Sequence, residues 1–214
     1  VSFSGWEVKD QFDVVIEKGS FINPNGSREA LCTHVMKTEP FIKWLKLNFR
    51  PYSDLFEERN AQVLGLSVDS NLTHLAWLNA IYDEEGVIIP FPIISDIGGF
   101  IARQYGMISP FATKAVAARN VLIIDPNQIV RTVLIYPITN ERNIPEILRL
   151  LTALQVSDEY GVVTPANWFQ GQPVMVPAPE SYEEIEQRKT NAAEMGLSCR
   201  QWWWCYKTLP EDAN

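Results

Sequence analysis

The stretch Ala61-Gln-Val-Leu-Gly-Leu-Ser-Val68 decides the fold class of this chain. Nearly every residue in it is small or apolar, which is typical of a strand that is buried on both faces of a parallel sheet. A helix is predicted soon after it, at Thr73 to Tyr82, from the spacing of the apolar residues. Because a buried strand that leads into a helix is the repeating unit of α/β proteins, we expect a sheet covered by helices.

The rest of the first 155 residues continues this alternation of strands and helices. Pro40 suits the first position of a helix, where its missing N–H costs nothing. The apolar run 88–94 is broken by Pro90 and Pro92, which predicts the end of a strand or the edge of a sheet. The other predicted strands are 12–17, 28–34, 121–124 and 129–136, and the other predicted helices begin at Pro40 or span 100–105 and 145–154.

The character of the chain changes after Gln155. The segment Val163 to Pro179 is rich in proline and glycine and is predicted to lie extended across a surface. A polar helix is predicted at 182–195, where Ser181 and Glu184 have the spacing of a capping box. The tail then reads Cys199-Arg-Gln-Trp-Trp-Trp-Cys205. We therefore expect two domains, 1–155 and 156–214.

Composition excludes several functional classes. The 214 residues are 46% hydrophobic and carry a net charge of −8, which argues against nonspecific binding to nucleic acid and to anionic membranes. No apolar run reaches the roughly 20 residues of a membrane helix, and the first residues do not have the pattern of a signal peptide. Three cysteines are too few for a disulfide scaffold. We expect a cytoplasmic protein with no cofactor and, given only two histidines, no metal.

Several stretches resemble the motifs of the peroxiredoxins. Gly26-Ser-Arg-Glu-Ala-Leu-Cys-Thr-His34 and the following Val35-Met-Lys-Thr-Glu-Pro-Phe-Ile42 resemble their active-site segment, roughly G-K-W-V-V-L-F-S-H-P-A-D-F-T-P-V-C. Further stretches are similar to G-L-S-V-D-S-x-x-x-H-x-x-W (64–77), R-A-x-F-I-I-D-P (119–126) and Y-P-x-x-x-G-R-N-x-x-E-I-L-R (136–149). Val163-Thr-Pro-Ala-Asn-Trp168 and the C-x5-C tail resemble the one-Cys branch with a long C-terminus, especially its archaeal-type members. The resemblance implies a thioredoxin-like fold with a small C-terminal extension.

The resemblance also implies that the nucleophile is missing. The active-site segments align without a gap, so that the peroxide-attacking cysteine of the family falls on Ile42 and its helper threonine on Glu39, while Pro40 is retained. The acidic residue three positions after that cysteine becomes Leu45. Reduction of a peroxide needs a thiolate, which a hydrocarbon side chain cannot supply.

The two arginines and the histidine around the family's cysteine are retained in this sequence. Arg119 and Arg142 fall on its two site arginines, and His34 falls on its histidine. Glu39 is interpreted either as a carboxylate at a helix N-terminus or as a new base and ion partner for Arg119. His34 is either a structural histidine or a general acid/base.

The three cysteines also have alternative interpretations. Cys32 is either an inert residue of a strand or a shifted nucleophile. Cys199 and Cys205 form either a structural pair, free or bridged, or a redox pair.

Three functions follow as hypotheses. The first is a pseudo-enzyme, a peroxiredoxin-like protein without thiol peroxidase activity that acts as a binding or assembly module. The second is a repurposed enzyme in which Glu39, His34, Arg119 and Arg142 act on a small polar or anionic metabolite. The third is a thiol-dependent peroxidase that uses Cys32 or the tail cysteines. The resemblance further implies a homodimer with a C-terminal arm that contacts the partner, assembled in some members into a ring of dimers such as a decamer.

Overall fold

The computed structural model describes residues 8–9, 15–17, 29–34, 50–109, 118–137 and 139–210, with side chains described from residue 54 onward. The chain divides into two compact units, Val1–Ile144 and Pro145–Asn214. The strands are β1 Val8–Lys9, β2 Val15–Glu17, β3 Glu29–His34, β4 Ala61–Ser67, β5 Ile93–Ser95, β6 Arg119–Ile124, β7 Val130–Tyr136, β8 Val174–Met175, β9 Ser198–Gln201 and β10 Trp204–Lys207. The helices are α1 Arg50–Glu58, α2 Asn71–Glu85, α3 Phe100–Gln104, α4 Ile144–Tyr160 and α5 Tyr182–Asn191.

A five-stranded sheet in the order β5-β4-β3-β6-β7 forms the centre of the first unit. Strands β3, β4 and β5 are parallel, whereas β6 is antiparallel to β3 and pairs with β7 as a hairpin. Strand β4 is buried along almost its whole length and β6 along all of it, as the apolar runs in the sequence predict. Parallel strands closed by an antiparallel hairpin are the order expected of a thioredoxin-like fold.

Local sequence signals fix the ends of the elements that surround β4. The hydroxyl of Ser70 accepts a hydrogen bond from the backbone N–H of Thr73 and caps α2, and Gly86 ends this helix in the left-handed conformation. The helix is longer than predicted at both ends, but its buried residues, His74, Trp77 and Ile81, have the expected spacing. Strand β5 lies at the sheet edge, which confirms the prediction from the two prolines before it.

The β6–β7 hairpin is closed by the side chain of Asp125. Its Oδ1 accepts hydrogen bonds from the backbone N–H groups of Asn127 and Ile129, at 2.9 and 3.0 Å. On one face of the sheet, Leu122 and Ile124 pack with residues of β4, α3 and the turn after α3 in a buried cluster. The two strands predicted at 121–124 and 129–136 are therefore confirmed, and they form a hairpin.

The second unit has an apolar core of its own. The indole of Trp168 is fully buried among Ala153, Val156, Val162 and Val174, and its Nε1–H donates to the carbonyl oxygen of Gln172 at 2.9 Å. A three-stranded antiparallel sheet in the order β8-β10-β9 lies in the same unit.

Three predictions for the C-terminal part were wrong. Helix α4 continues past Leu154 to Tyr160, because Val156 is buried and the left-handed Gly161 follows the helix. The segment 163–179 does not lie extended across a surface. It doubles back, so that Val163 pairs with Met175, because burying Trp168 requires the chain to turn around it. Helix α5 ends at Asn191, before the predicted Met195, although Ser181 does cap its start.

Candidate functional site

The guanidinium of Arg119 lies buried at the first residue of β6. Only 5% of its side chain is exposed, and its Nη1 donates to the carbonyl oxygen of Asn140 at 2.8 Å. The same nitrogen lies 2.6 Å from Oε1 of Glu141. The segment that follows β7 therefore folds back on the start of β6 and brings a carboxylate to this arginine.

Glu141 also faces a second buried arginine. Its Oε2 lies 3.7 Å from Nη1 of Arg142, whose side chain is only 2% exposed. This distance permits charge pairing but is too long for a hydrogen bond. The carboxylate of Glu141 thus lies between two guanidinium groups that are almost completely removed from water. The Glu141 side chain as a whole is 24% exposed, but its Oε2 is buried.

Burial changes the ionisation of one of these arginines. Removal from water lowers the pKa of Arg142 to about 10; the negative charge of Glu141 opposes this shift, and the positive charge of Arg119 adds to it. Arginine stays protonated at neutral pH even so. The site therefore keeps two positive charges in a poorly hydrated place, where their attraction for an anion is stronger than at the surface.

The structure brings Arg119 and Arg142 to one carboxylate, and the other residues predicted for this site lie as follows. His34 ends β3, and Thr33 pairs with Val121, so the end of β3 that carries His34 lies beside the end of β6 that carries Arg119. Glu39, Pro40 and Ile42 lie outside the described residues. The assignment of Ile42 to the position of the family's cysteine stays a prediction.

Sequence reasoning missed Glu141. The signal was present, because this glutamate stands where the motif Y-P-x-x-x-G-R-N has its glycine. A charged residue in place of glycine, directly before a site arginine, indicates a new ion pair.

The cysteines lie in two separate places. Cys32 is in the middle of β3, where its backbone pairs with Leu64 on one side and Leu122 on the other. Cys199 and Cys205 face each other across β9 and β10 and form a disulfide, with 4.0 Å between their Cα atoms. Of the two alternatives left open for the tail pair, free or bridged, the structure has the bridged one.

Aromatic side chains of the disulfide hairpin contact one another. The rings of Trp203 and Trp204 stack, with 5.8 Å between their centroids. The guanidinium carbon of Arg200 lies 4.9 Å from the centroid of Trp204, within the range of a cation–π contact. The hairpin thus carries both a reducible bond and fluorescent reporters of its state.

Other kinds of site are less well supported in the described part of the chain. No group of three or more His, Cys, Asp and Glu side chains there could hold a metal ion. A cleft of about 690 Å³ is lined by residues 92–97 together with Asn71, Phe100 and Ile101, and neither Arg119 nor Arg142 lines it. Among the helices of the described ranges, none has the length and apolar character needed to cross a bilayer.

Comparison with known proteins agrees with this architecture. The model of the AhpC/TSA family matches residues 36–133, and that of the C-terminal domain of 1-Cys peroxiredoxin matches residues 153–191. A protein named Peroxiredoxin 2 from Caldanaerobacter subterraneus subsp. tengcongensis is 53% identical over 154 residues, which are 72% of this chain and 69% of that protein. The chain belongs to the peroxiredoxin family.

Other peroxiredoxins match over a larger share of the chain. The peroxiredoxin of Nanoarchaeum equitans is 42% identical over 84% of this chain and 85% of its own length. Among solved structures, a cysteine-to-serine mutant of the peroxiredoxin 6 of Arenicola marina has a TM-score of 0.71 at 25% identity, with 86% of this chain and 87% of that chain covered. A yeast mitochondrial 1-Cys peroxiredoxin has a TM-score of 0.70 at 27% identity, with the same coverage. These peroxiredoxin neighbours confirm the predicted thioredoxin-like fold.

Proposed function

We propose that this peroxiredoxin-fold chain lacks thiol peroxidase activity and serves as a binding or assembly module. In peroxide reduction, a thiolate attacks one peroxide oxygen, the O–O bond breaks, and a sulfenic acid and water or an alcohol are formed. The thiolate must be poised by a helix N-terminus and nearby cations. The ungapped alignment that assigns this position to Ile42 is the basis of the proposal.

The location of the three cysteines supports it. Cys32 lies inside a central strand, with paired strands on both sides, rather than at the N-terminus of a helix. Cys199 and Cys205 are joined to each other, so neither offers a thiolate while the bond is intact. The observation that carries the proposal is that Cys32 is inside β3 and that Cys199 and Cys205 are joined in one disulfide, so that none of the three offers a thiolate at a helix N-terminus.

A peroxide-consumption assay tests the proposal. We expect the wild-type chain to consume hydrogen peroxide with dithiothreitol or thioredoxin no faster than a variant that lacks all three cysteines. Ile42→Cys is expected to create activity and Ile42→Ser, the matched control without sulfur, is not. Glu39→Thr in the Ile42→Cys background should raise the rate further. Rapid turnover of peroxide by the wild-type chain would overturn the proposal. If that turnover were absent in Cys32→Ser, the result would support the hypothesis of a thiol peroxidase that uses Cys32.

The tail cysteines supply the other form of the peroxidase hypothesis. If Cys199 or Cys205 reduced peroxide after the disulfide had opened, activity would depend on prior reduction and would vanish in Cys199→Ser or Cys205→Ser. Mass spectrometry after peroxide treatment would then find the sulfenic or sulfinic acid on one of these two residues.

A second candidate function is a repurposed pocket that takes a small polar or anionic metabolite. The contact of two buried guanidinium groups with a single carboxylate favours it, because such groups bind carboxylates and phosphates well. Arg119 and Arg142 would bind the anion, and Glu39 and His34 would act as acid or base. Two results together would support this function. A metabolite should bind saturably to the wild type and not to Arg119→Gln, and Glu39→Gln should lower the turnover of that metabolite without weakening its binding.

The oligomeric state is part of the proposal. We propose a homodimer, with the extension 156–214 as the arm that contacts the partner, in a cytoplasmic protein. Strand β7 is at the edge of the sheet and its Ile135 is 69% exposed, a combination that favours pairing with another chain. Sedimentation velocity distinguishes a monomer, a dimer and a ring of dimers, and Ile135→Lys should weaken the assembly if this edge is the contact.

A further inference from the structure

The Glu141 carboxylate faces both buried arginines. One of its oxygens lies 2.6 Å from Arg119 Nη1 and the other 3.7 Å from Arg142 Nη1. The two arginine side chains are 5% and 2% exposed, whereas that of Glu141 is 24% exposed. The arginines are therefore fixed inside the protein, and part of the Glu141 side chain reaches water although its Oε2 is buried.

We propose that Glu141 is an internal anion that occupies a carboxylate-binding site formed by Arg119 and Arg142. The ligand class is a small monovalent carboxylate such as formate, which has the same two oxygens and the same charge. Such an anion binds only when the side chain of Glu141 is absent or has turned outward. Glu141 would thus compete with free anions for binding to the two arginines.

The charges explain why an internal anion belongs there. Two guanidinium groups that are close together repel each other, and burial removes the water that would screen them. Removing the partner of a buried charge is costly, because the charge that stays behind is poorly solvated. A carboxylate from any source lowers this cost, so an empty site is expected to attract a carboxylate from solution.

The proposal rests on the arginine site of the proposed function but not on the loss of peroxidase activity. A chain that reduced peroxide could still have an arginine pair occupied by Glu141. A negative result in the peroxide assay therefore leaves the proposed anion site unaffected, and a negative result in the anion-binding test leaves the proposed function unaffected. A purely structural role of Glu141, as a tie between the segment after β7 and the start of β6, would stabilise the fold without creating a site for a free anion.

Chemical rescue distinguishes the two roles. Glu141→Ala removes the carboxylate and leaves room for another, whereas Glu141→Gln removes the charge but fills the same space. Because both arginines have further interactions besides Glu141, we expect both variants to fold. Unfolding in urea is measured in sodium formate and in sodium chloride at the same ionic strength.

The expected result is specific to one variant. A ligand that binds only the folded state at about ten times its Kd shifts the unfolding equilibrium by roughly tenfold, and formate should cause a shift of this size in Glu141→Ala. The wild type and Glu141→Gln should respond to formate as they do to chloride. Glu146→Ala is the matched control, because Glu146 pairs with Arg149 at a more exposed place and its loss should create no response.

Two results would overturn the proposal. One is an equal response of Glu141→Ala and the wild type to formate, which would mean that the carboxylate is only a structural tie. The other is an undiminished response after Arg142→Gln is added to Glu141→Ala, which would place the bound anion elsewhere. Isothermal titration with formate at neutral pH gives the same comparison without unfolding, in case a variant is too unstable for the urea measurement.

Discussion

Reduction of the Cys199–Cys205 disulfide should destabilise the C-terminal unit by a predictable amount. The two cysteines are 6 positions apart in the sequence, and the loop-entropy relation for a ring of this size gives about 2 kcal/mol of stabilisation. With a urea dependence of about 2 kcal/mol per molar, the midpoint of unfolding should fall by roughly 1 M. The effect is modest because a short loop has little conformational freedom to lose when it is closed.

The assay is urea unfolding followed by tryptophan fluorescence, with and without a phosphine reductant. Cys32→Ser removes the third thiol and should retain the full effect of the reductant, whereas Cys199→Ser/Cys205→Ser should show none. Alkylation and mass spectrometry confirm the state of each thiol. If Cys32→Ser unfolds at the same urea concentration with the pair bridged and with the pair reduced, the reasoning from loop entropy is refuted.

Three further predictions follow from the described contacts. Trp168→Ala should cost about 3–5 kcal/mol, measured by urea unfolding, since the indole fills the core of the second unit, while Phe169→Ala, at an exposed site, should cost about 0.5 kcal/mol or less. Asp125→Ala should cost about 1–3 kcal/mol and speed amide exchange in the hairpin, since two backbone N–H groups lose their acceptor. The hydrogen bond from Arg149 lowers the pKa of Glu146. This pair therefore stabilises the fold above the usual pKa of glutamate, and the stabilisation is lost as the pH falls through the lowered pKa. On acidification the melting temperature of the wild type should fall slightly more than that of Glu146→Gln, and the difference is small because solvent screens the pair.

Short sequence patterns were sufficient to predict much of the structure of the first unit. The hairpin at Asp125 was predictable because the residues that close it are within four positions of each other. The edge position of β5 was predictable because proline cannot donate the hydrogen bonds that an interior strand needs. In both cases the physical cause lies in neighbouring residues, where a sequence pattern can report it.

Contacts between residues that are far apart in the sequence explain the predictions that were wrong or missing. Polar residues at 157–159 suggest that helix α4 has ended, yet Val156 is buried with Val162 and Val174, and this packing extends the helix. The proline- and glycine-rich segment after it gives no sign that Trp168 will be enclosed. The contact between Arg119 and Glu141 was missed as well, since the two residues are far apart in the sequence and the glutamate in place of the motif's glycine was not interpreted.

The arginine pair gives a physical reason why the proposed absence of peroxidase activity is compatible with an intact scaffold. Two buried guanidinium groups need negative charge nearby whether or not a thiolate is present. The resemblance assigns Leu45 to the family's acidic position and Ile42 to its thiolate, so two sources of negative charge would be missing from this chain. Glu141 supplies one in the described part of the structure, at 2.6 Å from Arg119, and Glu39 is predicted to supply another.

The fold of this region is expected to depend on the balance of charge. Glu141→Ala should therefore lower the free energy of unfolding more in the wild-type chain than in the Ile42→Cys chain, at a pH where the new thiol is ionised. The physical reason is that the resemblance assigns residue 42 to the thiolate that faces these arginines in the family, so the new thiolate would replace the missing negative charge. Urea unfolding of the two variants at that pH measures the difference. An equal loss of stability in both backgrounds would contradict this account, because it would show that the arginines do not depend on the total negative charge around them.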